Sequence, residues 1–93
     1  MGGIKIRIFR GKSLSDKVLT RTKYVETNSV KKLTSKQAGR ILANNFPQFD
    51  DLLNRHGLQK ANEGFLAMRP FEPTEKCGNH YMWEYALVSE EAD

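Results

Sequence analysis

Ile4, Ile6 and Ile8 alternate with Lys5 and Arg7, so the chain begins with a period-two pattern that has one apolar and one cationic face. That pattern predicts a strand with its isoleucines inward. Residues 17–26, KVLTRTKYVE, are rich in β-branched and aromatic types and predict a second strand paired with the first. The turn-rich run from Arg10-Gly11-Lys12 to Asp16 predicts the loop between them. Along the second strand Val18, Thr20, Thr22 and Tyr24 oppose Leu19, Arg21, Lys23 and Val25, which would set Arg21 and Lys23 beside Lys5 and Arg7 on the solvent side.

The pattern then changes to helical spacing. Thr34 followed by Gln37 is a capping box, and Ala38, Ile41, Leu42 and Phe46 recur as one apolar stripe, so a helix is predicted over 35–45 with Lys32, Lys36 and Arg40 along its wet side. Asn44-Asn45 and Pro47 end it, because a residue before proline avoids the α region. Pro47 suits the first turn of a second helix over 47–56, and Asp50 and Asp51 suit the positive end of its dipole. Phe49, Leu52 and Leu53 are its apolar stripe; Gly57 supplies the stop, with Leu58 folding back on Leu53.

After the polar stretch Gln59–Glu63, GFLAMRPF (64–71) predicts a third strand, with Pro70 marking an edge or an end. EPTEKCGN reads as a loop, HYMWEYALV (80–88) as the last strand, and SEEAD as a frayed acidic tail. On that last strand Tyr81, Trp83, Tyr85 and Leu87 share one face; His80, Met82, Glu84, Ala86 and Val88 share the other. Each ring buries about 150–250 Å2, and Glu84 is costly to bury without a partner. The expectation is therefore that the aromatic face lies under the helices. The fold class that follows is α+β: a single domain over 1–93 with a four-stranded antiparallel sheet covered on one face by two helices, in the order β-β-α-α-β-β.

Composition changes this picture chiefly through charge. The net charge is +4, but residues 1–40 hold eleven of the fifteen basic residues against Asp16 and Glu26, a net of +9, while residues 41–93 hold four against nine acidic residues, a net of −5. Such polarity points toward a polyanionic partner and allows head-to-tail self-association into a homo-oligomer. One cysteine, Cys77, excludes an internal disulfide and fits a reducing, cytoplasmic setting. No apolar run is long enough to span a membrane.

Candidate chemistry is sparse. Cys77 and His80 in CGNH have ligand-like spacing, but Glu75 and His56 would have to complete a zinc site, and such loops are common by chance. No phosphate-cradling glycine loop, nucleophile elbow or paired helical histidine is present, so neither an enzyme, a metal nor a cofactor is expected. Two helices followed by a hairpin also describe a winged helix, yet Asp50 and Asp51 would then face phosphate-lined DNA. With the aromatics inward, base stacking is disfavoured, and phosphate contact is what remains. The expectation is a non-catalytic nucleic-acid-associated protein, for DNA or RNA, that binds backbone phosphates through Lys5, Arg7, Arg21, Lys23, Lys32, Lys36, Arg40 and Arg69. The competing expectation is a small adaptor or inhibitor, of the kind mobile elements encode, that binds a larger protein complex through exposed Phe65 and Phe71.

Overall fold

A computed structural model describes residues 3–13, 15–26, 33–70, 76–77, 80–81 and 83–91. Strands β1 (Gly3–Ser13) and β2 (Asp16–Glu26) form a long hairpin, followed by helix α1 (Ser35–Asn45), a 3-10 turn (Pro47–Phe49) and helix α2 (Asp50–His56). Strands β3 (Gln59–Ala61), β4 (Gly64–Pro70), β5 (Lys76–Cys77), β6 (His80–Tyr81) and β7 (Trp83–Glu91) complete it. Five strands make one antiparallel sheet in the order β2-β1-β7-β4-β3, and β5 with β6 makes a separate two-stranded ladder.

The class is the α+β arrangement expected, with an antiparallel sheet and two helices, but the sheet has five strands rather than four. The extra strand, β3, is three residues of polar sequence joined to β4 by the tight turn at Asn62-Glu63. It carries no apolar alternation that could announce it. The predicted last strand is divided: His80–Tyr81 pairs with Lys76–Cys77, whereas 83–91 enters the main sheet between β1 and β4. Part of the expected tail is therefore ladder.

The first hairpin is also tighter than its loop signals suggest, since β1 runs on to Ser13 and β2 starts at Asp16. Gly11 makes this approach feasible: a Cβ there would lie 2.0 Å from the Asp16 carbonyl oxygen.

Both helices form for the reasons the sequence supplies. Thr34 Oγ1 accepts from the Gln37 N–H at 3.2 Å while Gln37 Oε1 accepts from the Thr34 N–H at 3.1 Å, closing the capping box. Pro47 opens a 3-10 turn before α2, and Asp51 pairs with Arg55 at 2.8 Å along that helix. Gly57 ends it at φ 68°, its N–H donating to the Leu53 carbonyl. The helices pack on one sheet face over a cluster made of Ile4, Ile6, Ile8, Leu33, Ala38, Leu42, Phe46, Phe49, Ala67, Ala86 and Val88. Ahead of α1, the Leu33 N–H donates to Glu90 Oε1, tying the helix entry to the end of β7.

Leu53 and Leu58 converge on Gly39 in the interior of α1, where an added methyl would lie 3.9 Å from each, in ordinary contact. Gly39→Ala is therefore expected to stabilise the fold by about 0.5–1 kcal/mol, the helix-propensity difference. A urea titration reads it as a higher midpoint with an unchanged slope. A lower midpoint would show that the helices are in closer contact than found.

The helices cover only half of the sheet. Eleven helical residues span about 16 Å, whereas eleven strand residues span about 36 Å, and the molecule is 46 Å long. On the helix side the rows Ile6–Val88–Phe65 and Ile8–Ala86–Ala67 lie in the core, while the next row, Arg10–Glu84–Arg69, lies past it.

Candidate functional site

Residues opposite one another across antiparallel strands share a face, so the register decides which cations stand together. Arg7 pairs with Leu87 and Phe9 with Tyr85, and these continue to Leu66 and Met68 of β4. Ile8 pairs with Ala86 and Ile6 with Val88 on the helix side. The aromatic series of β7 therefore points away from the helices, opposite to expectation. Small Ala86, Ala67 and Val88 allow the helices to come close, and the rings occupy the outer face. Tyr85 and Leu87 are nevertheless only 3% and 8% exposed, closed in on a central strand. Burial pushes the Tyr85 phenol above its ordinary value.

Glu84, whose cost had argued for the inward rings, lies beyond the helices within 3.4 Å of Arg69 Nη2, so its charge has a partner. Trp83 is half-buried on the outer face.

The cations expected to form one surface are split between two. Lys5 and Arg7 lie on the outer face. Arg21 pairs with Ile8 and Lys23 with Ile6, which puts both on the helix side instead of beside Lys5 and Arg7. The cause is twofold. Val25 opposite Ile4 is drawn against the core and carries Lys23 and Arg21 with it by period two. A bulge between Ile8 and Phe9 then leaves Thr20 as the extra residue, its hydroxyl donating to the Ile8 carbonyl at 3.0 Å, so Leu19 pairs with Phe9 on the outer face.

The guanidinium of Arg21 lies over the Phe46 ring, 5.3 Å from its centroid. Lys36 and Arg40 are exposed on α1 and line a groove of about 420 Å3 between the helices, with Asp50 across it. Arg69, expected on an exposed basic face, is half-buried on the helix side beside Glu84. Lys32 lies outside the described residues. Arg7 is half-buried as well, its guanidinium 3.4 Å from Ser89 Oγ and 3.8 Å from Glu63.

What the outer face presents to solvent is its hairpin half. Tyr24, opposite Lys5, is 66% exposed, and the Lys5 ammonium lies 5.4 Å from its ring centroid. Leu19, opposite Phe9, is 49% exposed, and the Lys17 ammonium lies 5.2 Å from the Phe9 ring. Lys17, Phe9 and Tyr24 were absent from the expected site. Phe9 continues the Lys5–Arg7 alternation and was legible, and Leu19, with Lys17 two residues before it, belongs to the series expected on this face; Tyr24 belongs to the opposite series and shares the face with them only because of the bulge at Thr20, which no residue pattern announces.

Phe65, anticipated as an exposed protein contact, is packed against the core, and Phe71 lies outside the described residues. The side chains of Cys77 and His80 are likewise outside them, as is Glu75. Among the described residues no three His, Cys, Asp or Glu side chains cluster, and no helix is long and apolar enough to cross a membrane. The winged-helix alternative does not describe this chain, because both helices lie against the five-stranded sheet. Protein-family models, curated proteins and solved structures contain no match to the chain.

Proposed function

We propose that this chain is a non-catalytic nucleic-acid-binding protein that takes a single strand on the hairpin half of its outer sheet face. The observation that carries this reading is the interleaving of rings and ammonium groups there, Tyr24 with Lys5 and Phe9 with Lys17. The exposed Tyr24 ring, with half-buried Phe9 along the same face, offers a base a π-face whatever its identity, while the lysines beside them meet the phosphates. Lys36 and Arg40, on the far side of the molecule, take no part in this surface. The net charge of +4 favours encounter with any polyanion.

The test is fluorescence anisotropy on a labelled single-stranded oligonucleotide across a salt series. Binding is expected to weaken linearly on logarithmic axes, and Lys5→Ala and Lys17→Ala each to flatten the slope by about 0.7. Tyr24→Ala is expected to cost about 1–3 kcal/mol of affinity at every salt concentration. The double variant Lys36→Ala, Arg40→Ala is expected to bind as wild type does. Equal losses from the helix variants would remove the outer-face site, and salt-independent binding would remove the phosphate contacts. A stoichiometric protein complex that survives nuclease would favour the adaptor role instead.

A further inference from the structure

Among the described residues, the large apolar side chains left exposed are Val18, Leu19 and Tyr24, and all three lie on β2. Val18 is 68% exposed and faces the helix side opposite Arg10; Leu19 and Tyr24 face the outer side. Since they belong to different faces, what they share is an edge. β2 is one border of the main sheet, eleven residues long and free of proline. A long edge with exposed apolar side chains is a template for another strand.

We infer that this edge pairs with the same edge of a second copy, antiparallel about a two-fold axis through Thr22, joining two sheets into one of ten strands. The register follows from matching faces. In an isologous pairing across a two-fold axis normal to the sheet, outer-face residues must meet outer-face residues. With Thr20 bulged in each copy, the alignment centred on Thr22 sets Lys17 opposite Glu26, Val18 opposite Val25 and Leu19 opposite Tyr24, each twice. Every exposed apolar residue then gains an apolar neighbour, and each end of the interface closes with opposite charges. Centring on Arg21 sets Val18 opposite Lys23; centring on Lys23 sets Leu19 opposite Glu26. Neither shift offers this complementarity. The chosen alignment brings Arg21 near Lys23, but the guanidinium of Arg21 is drawn over the Phe46 ring. The inference does not depend on nucleic acid and would hold if the proposed function failed.

Sedimentation equilibrium on the full chain, without nucleic acid, tests it. A concentration-dependent dimer is expected. Lys17→Glu and Glu26→Lys should each raise the dissociation constant roughly tenfold, because a symmetric interface counts every cross-strand charge pair twice. Mixing the two variants should restore association to near the wild-type value, because each reversed charge then faces its opposite across the interface. Positions 17 and 26 are about 30 Å apart within one chain, so only contact between copies accounts for such rescue. A monomer at every concentration overturns the inference, and so does a dimer indifferent to both reversals or not rescued on mixing.

Discussion

Phe49→Ala is expected to lower the unfolding free energy by about 3–5 kcal/mol. Phe49 heads the largest fully buried side chains, with an exposure of 0%, and it stands on the 3-10 turn where α1 hands over to α2. Its ring shares the core cluster with Ile4 and Ile6 from β1, Leu42 from α1 and Val88 from β7. Truncation removes the ring's transfer free energy and leaves a cavity at the junction of both layers. A domain of this size holds only about 5–14 kcal/mol in total, so the variant should lose a large share of its stability. Urea unfolding should show a much lower midpoint at an unchanged slope. A loss below about 1 kcal/mol would mean that the site collapses around the missing ring.

Gly64→Ala should cost a similar amount, roughly 3–5 kcal/mol, for a different reason. Gly64 begins β4 at φ 148°, a conformation that L side chains rarely adopt, and a Cβ there would lie 2.1 Å from the Val88 carbonyl oxygen and 3.0 Å from its carbon. Strain and collision add, and the obstacle is the backbone of the central strand, which has no rotamer to change. Gly57 separates the two contributions. It also has positive φ, 68°, with ψ −161°, a region essentially reserved for glycine, but nothing lies within 4 Å of an added Cβ, so Gly57→Ala should show the conformational cost alone, about 1–3 kcal/mol. Equal losses at the two glycines would count against the close approach of β4 to β7.

The helices were legible because their signals are local. Thr34 with Gln37, Pro47 and Gly57 act within a few residues, and α1 ends where its pattern does. The face of β7 was not legible, for a physical reason. Period-two reasoning assumes one dry and one wet side, but Tyr85, Ala86, Leu87, Val88 and Ser89 are all buried, and on the outer face Tyr85 and Leu87 stand between the long side chains of Arg7 and Phe9 on β1 and Leu66 and Met68 on β4. Glu84 misled because a carboxylate can be taken largely out of water where a cation reaches it: its side chain is only 16% exposed, and Arg69 Nη2 lies 3.4 Å away. The candidate site was half legible. Lys5 stands where its alternation puts it, whereas Arg21 and Lys23 were displaced by Val25 packing and by one extra residue at Thr20.

The placement of β7 between β1 and β4 sets a timetable for the newborn chain. Its ladder with β1 joins residues as far apart as Gly3 and Glu91, and such distant pairings carry the greatest closure entropy. Until residues 83–91 emerge from the ribosome, β1 and β4 have no common neighbour, so the five-stranded sheet can close only around the strand that is made last.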